Sequence, residues 1–267
     1  MTDMAWLLPV FGFVVGIFAS LTGVGGGVLI FPILTLLYGF VPQQAVGTSL
    51  GMIIFTAIAS TFYYSRQKRI FFRTGLLLSI TTVPGAYLGA YLTTIVSPQT
   101  LGVLFGLFLI YIAGRMILRS LKSGGTSAAG GDAAERPSVS DRALVASRGP
   151  TVKAVTLGLF VGIASGLLGI GGGALAVPVM TLVLHMPIHY ATATSMFTMI
   201  FTSLSGVLKH HLAGHVHWLF AVLLGAGTVF GARLGASLSL KISGRNLRLV
   251  FGIVLLAVSV EMIVKYL

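Results

Sequence analysis

The chain contains no cysteine, and only five of its 267 residues are acidic. Without cysteine there are no disulfides, no thiolate metal sites and no cysteine nucleophile. Charged residues of either sign make up 8% of the chain, whereas a soluble domain carries about 25%. That shortage excludes an ordinary water-soluble fold. No serine stands in a recognisable nucleophile motif and no acid is placed to orient a histidine, so a Ser–His hydrolase has no catalytic set here and no enzyme is expected. Glu261 is the only acid within an apolar run, and Lys265 follows at i+4 as its expected interfacial partner. An interior this poor in carboxylates disfavours a cation carrier and suits an anion carrier.

What is present is apolar. Hydrophobic residues make up 56% of the chain and mean hydropathy is +1.00, the composition of an all-helical, polytopic integral membrane protein. The net charge of +12 does not point to nucleic acid, because the basic residues lie in loops between apolar runs, where cytoplasmic anchoring explains them. Residues 5–22 are apolar but lack a basic leader region. They have a counterpart near 154–168, so they read as part of the fold and not as a signal peptide.

The chain is two copies of one unit, the first thing to look for in a sequence of this kind. Gly23-Val-Gly-Gly-Gly-Val-Leu-Ile-Phe-Pro32 is matched by Gly169-Ile-Gly-Gly-Gly-Ala-Leu-Ala-Val-Pro178, an offset of 146. The same offset pairs Thr48-Ser49 with Thr194-Ser195 and Gly85-Ala86 with Gly231-Ala232. Apolar runs fall at 5–22, 26–39, 48–64, 74–95 and 100–118, then at 154–168, 173–186, 191–208, 218–240 and 246–266. Three runs per half reach the length of about 20 residues that a spanning helix needs. The pieces flanking each glycine cluster are shorter: two tight spans, a re-entrant hairpin or one broken helix. Between the halves, 119–153 is rich in Gly, Ser and Ala and holds Asp132, Glu135 and Asp141; it reads as a flexible linker. The expected organisation is therefore a first membrane repeat at 1–118, the linker, and a second repeat at 154–267.

Loop charge suggests how the repeats lie. The loop at 65–73 carries Arg66, Lys68, Arg69 and Arg73, and the loop at 96–99 carries none. In the second half the bias reverses: 209–217 carries only Lys209, while Lys241, Arg245 and Arg248 surround the next loop. Lys and Arg collect on the cytoplasmic side, so the repeats are expected to be inverted. The linker is then cytoplasmic and both termini are outside.

The glycine clusters are the main candidates for a site. Four glycines in five positions make a poor helix, at about 1 kcal/mol each relative to Ala. Broken backbone within a membrane is tolerated only where protein buries it or water reaches it. In inverted-repeat transporters such breaks form midplane sites, with half-helix N-termini directed at anions. The substrate-binding candidates here are Gly23, Gly25, Gly26, Gly27, Gly169, Gly171, Gly172 and Gly173, with Pro32 and Pro178 as hinges. The competing explanation is close helix packing through small residues. No Lys-Ser/Thr follows either cluster, so neither is a nucleotide loop. Thr48, Ser49, Thr194 and Ser195 open the next span and either bind an oxyanion or cap the helix. Arg233, alone among Lys and Arg well inside a run, is a candidate anion partner or a snorkelling side chain. His185, His189, His210, His211, His215 and His217 all fall in the second half. They could form a metal site, but no carboxylate accompanies them and the first half has no equivalent.

The duplicated G-x-G-G-G-x-L-x-x-P, each copy followed by Ala-x-x-Thr-Ser (Ala45–Ser49 and Ala191–Ser195), resembles the TauE/SafE sulfite exporter family of bacterial permeases. The resemblance covers both halves. It implies a plasma-membrane secondary transporter of sulfite, organosulfonates or related anions, often moved outward, with its motif at the glycines and prolines named above. The expected partners are a small anion and the lipid bilayer, with no cofactor and no nucleic acid; proton coupling and a homo-oligomer are both compatible with this reading. The alternatives are a divalent-metal permease using the histidines and an anion channel.

Overall fold

A computed structural model of the chain describes residues 5–122, 141, 148–239 and 244–267. Every regular element among them is helical. The first half contains α1 (Leu8–Thr22), α2 (Gly27–Pro32, continued by a wider π turn over Ile33–Leu37), α3 (Pro42–Arg66), α4 (Phe72–Ile95) and α5 (Pro98–Lys122). The second contains α6 (Arg148–Leu168), α7 (Gly173–Leu182), α8 (Ile188–Leu212), α9 (Trp218–Leu238) and α10 (Gly244–Tyr266). Local chemistry sets several starts. Pro42 sits at the first turn of α3 behind an extended Val41, where its missing N–H costs nothing. Ser97 caps α5 by accepting from the Thr100 N–H at 3.2 Å. Among the described residues, α3, α4, α8, α9 and the Pro98–Arg115 part of α5 are long and apolar enough to cross a membrane.

Helix directions follow from which residues touch. Gly12 lies against Leu224 and Gly16 against Thr228, so α1 and α9 run the same way. Gly85 meets Leu159 and Gly89 meets Ile163, so α4 and α6 also run parallel. By contrast, Gly47 meets His210 while Gly51 meets Val207, which makes α3 and α8 antiparallel. Helices α5 and α10 oppose each other likewise, with Gly102 on Tyr266 and Gly106 on Ile263. The first element of each half thus packs on the fourth element of the other half. Glycines line these seams, letting backbones approach closely where lipid provides no hydrophobic drive.

The short elements are re-entrant. Tyr38, just beyond α2, stacks edge-on against Phe220 at a centroid distance of 5.4 Å. Phe220 lies at the start of α9, the end near which α1 also begins. The chain therefore goes in along α1, turns at the glycines and comes back along α2. In the second half Phe71 and Tyr190 lie 5.4 Å apart beyond α7, at the end from which α6 enters. The two hairpins enter from opposite ends.

One end gathers the C-termini of α3 and α9 with the starts of α4 and α8. There Gln67 Nε2 donates to Ala236 O (3.2 Å) and the Phe71 N–H to Thr194 Oγ1 (3.0 Å). Asp141 binds here too, its carboxylate accepting from the N–H groups of Arg73 (2.9 Å) and Thr74 (3.0 Å) and from Thr74 Oγ1 (2.7 Å). Helices α5 and α6 reach into the expected linker 119–153 from both sides; within 123–147 only Asp141 is described. The other two linker acids, Asp132 and Glu135, lie outside the described residues. At the opposite end, Lys265 Nζ donates to Thr35 O at 2.7 Å instead of pairing with Glu261. Thr35 lies among the last residues of the π turn, whose final carbonyls have no partner within the helix, and Lys265 supplies a donor there.

Candidate functional site

The two glycine turns meet in the middle of the molecule. Gly25 (φ 89°) and Gly26 (φ 85°), like Gly171 (φ 72°) and Gly172 (φ 86°), occupy left-handed backbone that L side chains resist. A side chain at Gly27 would press into the Gly169 carbonyl, and one at Gly173 into the Gly23 carbonyl. Each turn is thus moulded against the other. Ile53 and Met199, themselves 146 positions apart, fill the remaining space: a methyl group at Gly171 would lie 2.8 Å from Met199 Cε and 2.9 Å from Ile53 Cγ2.

Two hydroxyls cross the junction. Ser49 Oγ donates to Gly169 O at 2.8 Å and Ser195 Oγ to Gly23 O at 3.0 Å. Thr202 Oγ1 adds a bond to Gly171 O at 3.1 Å. The first paired amides of α2 are those of Leu29 and Ile30, both donating to Gly26 O. In α7 they are those of Leu175 and Ala176, donating to Gly172 O. The amides of Gly27, Val28, Gly173 and Ala174 precede the helical ladder, as the first N–H groups of any helix do.

Thr48-Ser49 and Thr194-Ser195 do not open their spans as the sequence suggests. They sit about two turns inside α3 and α8, because Pro42 and Pro187 start those helices earlier than the hydropathy does. Thr48 Oγ1 accepts from the His217 N–H (3.1 Å) and Thr194 Oγ1 from the Phe71 N–H (3.0 Å). Each threonine therefore serves the beginning of a neighbouring helix, α9 or α4. Pro32 and Pro178 lie in the second turn of α2 and α7.

Arg233 is not brought to this centre. Its side chain lies on the exposed face of α9 beside Phe230, which is 69% exposed. The helix end at Ser239 is six residues away, about 9 Å along the axis, within snorkelling distance of a long side chain. His210, His211, His215 and His217 lie near the opposite end, whereas His185 and His189 lie around the start of α8, the same end as Ser239. His210 is fully buried with Nε2 3.2 Å from Gly166 O, and its ring is 5.7 Å from that of His215. His211 Nδ1 accepts from Trp218 Nε1 at 3.2 Å. Among the described residues, no three His, Asp or Glu side chains converge as metal ligands.

Some polar groups escaped the sequence reading. Ser165 Oγ, Ser203 Oγ and Thr82 Oγ1 are buried without a hydrogen-bond partner. Ser165 lies beside the Gly172 turn. Thr82 borders a narrow cavity with Thr198, Val161 and Ala176. The first half has Ala19, Ala57, Met52 and Ile30 at the positions of Ser165, Ser203, Thr198 and Ala176. Differences between the repeats carry that signal for Ser165 and Ser203, but not for Thr82, whose counterpart Thr228 is also threonine.

The family model for "Sulfite exporter TauE/SafE" matches residues 8–262, nearly the whole of both hairpins and their spans. The chain belongs to the TauE/SafE family. Among its relatives, "Probable membrane transporter protein YunE" of Bacillus subtilis is 35% identical over 96% of each chain. A probable membrane transporter protein of Methanocaldococcus jannaschii is 29% identical over 93% of this chain and 91% of that one. One of Xylella fastidiosa is 28% identical over 94% and 92%. No solved structure matches. With the apolar helices, these likenesses make this TauE/SafE protein a multi-pass membrane transporter.

Proposed function

We propose that this protein carries small sulfur-containing anions, sulfite or organosulfonates, outward across the bacterial plasma membrane by alternating access, with no covalent chemistry. The observation that carries the reading is the meeting of two glycine turns from hairpins that enter from opposite ends. The antiparallel run of α3 against α8 and of α5 against α10 supports an inverted repeat. The anion binds where the turns part, on the amides that begin α2 and α7, Gly25–Gly27 and Gly171–Gly173. Ser49 and Ser195 act as latches: their bonds to Gly169 and Gly23 hold the turns together and open as one hairpin rocks against the other. Thr48 and Thr194 tie that movement to α9 and α4. Arg233 has no part in it.

Positive charge supports an orientation. Arg66, Lys68, Arg69, Arg73 and Asp141 share one end, and Lys209 and Lys265 lie at the other. The first end is then cytoplasmic, with the linker on that side and both termini outside.

The test uses proteoliposomes loaded with sulfite, taurine, sulfoacetate or sulfate, with efflux followed for each. Efflux of a sulfur oxyanion that is unchanged in Arg233→Ala supports the reading. Movement of zinc or nickel with none of these anions overturns it, and currents beyond carrier turnover point to a channel.

A further inference from the structure

A second cluster of buried polar groups lies apart from the glycine turns, at the end shared by α3 and α9. The loop after α3 turns back on itself. Lys68 adopts φ 56°, left-handed backbone that costs a non-glycine residue of order 1 kcal/mol or more; its counterpart 146 positions on is Gly214 (φ 72°). The Lys68 N–H donates to Ser65 O (3.0 Å) and the Arg69 N–H to Tyr64 O (3.2 Å). This turn sends Arg69 back into the protein, where it is only 5% exposed.

The guanidinium is poorly compensated there. Nη1 donates to Ser239 Oγ across 3.3 Å, and Nη2 is buried with no partner. Burial holds its pKa below the usual arginine value. Among the described residues no carboxylate forms an ion pair with it. The C-termini of α3 and α9 supply partial negative charge, roughly half an elementary charge per helix end, which offsets only part of a desolvated cation. Gln67 belongs to the same cluster. Its Nε2 donates to Ala236 O (3.2 Å), the oxygen to which Ser239 Oγ also donates (2.8 Å). That bond fixes the orientation of the amide and leaves Gln67 Oε1 buried without a donor. One cluster thus holds an orphan charged donor and an orphan acceptor, and buried polar groups are rarely left so.

We propose that Arg69 and Gln67 bind a small oxyanion at this mouth of the transport path, the guanidinium engaging its oxygens and Gln67 Oε1 accepting a proton that the anion keeps. Hydrogensulfite, hydrogenphosphate and hydrogencarbonate share that chemistry. The opposite mouth is built differently: His215 stands at the position of Arg69, His210 at that of Tyr64 and Ala213 at that of Gln67. On the carrier reading, the Arg69 end collects the anion before it reaches the glycine turns, which gives the two mouths unequal affinity.

The experiment is a thermal-shift titration of full-length, detergent-purified protein with sodium sulfite, phosphate, hydrogencarbonate and chloride at constant ionic strength. A ligand that binds the native state raises its stability in proportion to the logarithm of its concentration over Kd. An oxyanion should stabilise the wild type where chloride does not. Arg69→Gln should weaken that response at least tenfold. Arg69→Lys should weaken it nearly as much, since a point charge cannot supply the fork. Lys68→Gly, which relieves the turn, should leave it intact. Equal stabilisation by chloride, or an unchanged response in Arg69→Lys, overturns the site and leaves Arg69 as a clamp on the end of α9. If Arg69→Gln does not fold, Arg69→Lys carries the test, since the wild-type response alone does not separate this site from the glycine turns. Efflux from proteoliposomes separates the two readings. Lost oxyanion binding in Arg69→Lys with normal efflux by a Gly27→Ala protein sinks the glycine-turn reading alone. Lost efflux in Gly27→Ala with unchanged binding in Arg69→Lys sinks the Arg69 site alone.

Discussion

Substituting Gly27 by alanine adds one methyl group where two hairpins touch. That carbon would press into the Gly169 carbonyl and stand 2.9 Å from Ile170 Cα and 3.0 Å from Ile53 Cδ1. Two of these neighbours are backbone, so no side-chain rotation relieves the contact; the turns must separate. Overpacking of this kind costs about 1–3 kcal/mol. At about 2–4 °C per kcal/mol for a chain near this size, the melting temperature should fall by about 2–12 °C. Gly173→Ala should behave alike, because it meets Gly23 O from the other side. The control is Gly114→Ala in α5, where a methyl group meets nothing within 4 Å; helix propensity there should add up to about 1 kcal/mol. Melting curves of the purified proteins and sulfite efflux at matched protein density make the comparison. A Gly27→Ala protein that melts and transports like wild type would refute the idea that the two turns are in contact and have to part.

Ser49→Ala and Ser195→Ala should each destabilise by about 1–3 kcal/mol, because each leaves a buried glycine carbonyl unsatisfied. The double variant should depart from additivity by more than about 0.5 kcal/mol if the latches act together, which a thermal or denaturant melt of all four proteins would reveal. Asp141→Ala removes three hydrogen bonds from the first turn of α4 and should cost about 0.5–2 kcal/mol; unchanged hydrogen exchange at residues 72–75 would argue against it. Burial lowers the pKa of His215 from 6.5, so the unfolded chain takes up its proton first as pH falls. Stability should be fullest above about pH 6.5 and decline through the window below it. His215→Gln should flatten part of that decline, and a melting profile with the same slope in both proteins would count against the assignment.

Much of the architecture is legible in one dimension. The 146-residue offset places the glycine turns, the three longer helices of each half and the chain between them, since a duplicated unit must bury the same faces twice. Boundaries drift where hydropathy and helix geometry diverge. Helix α3 begins at Pro42 and not near residue 48, because Gln43 and Gln44 are polar yet helix-compatible. By hydropathy Thr48 and Ser49 therefore look like the opening of a span when they lie inside one, bonded to other elements.

The two arginines show the limit most clearly. Arg233 sits in an apolar run yet faces outward; Arg69 sits in a basic loop yet is buried. In water, an apolar stripe marks the face of a helix that turns inward. In a membrane both the lipid-facing and the protein-facing sides are apolar, so hydropathy gives depth but not facing. Composition and repetition alone determined that the chain is a helical membrane protein built twice from one unit. Tertiary structure decided that the glycine turns belong to hairpins entering from opposite ends and touch one another, and which arginine is buried. Those facts depend on contacts between residues more than a hundred positions apart.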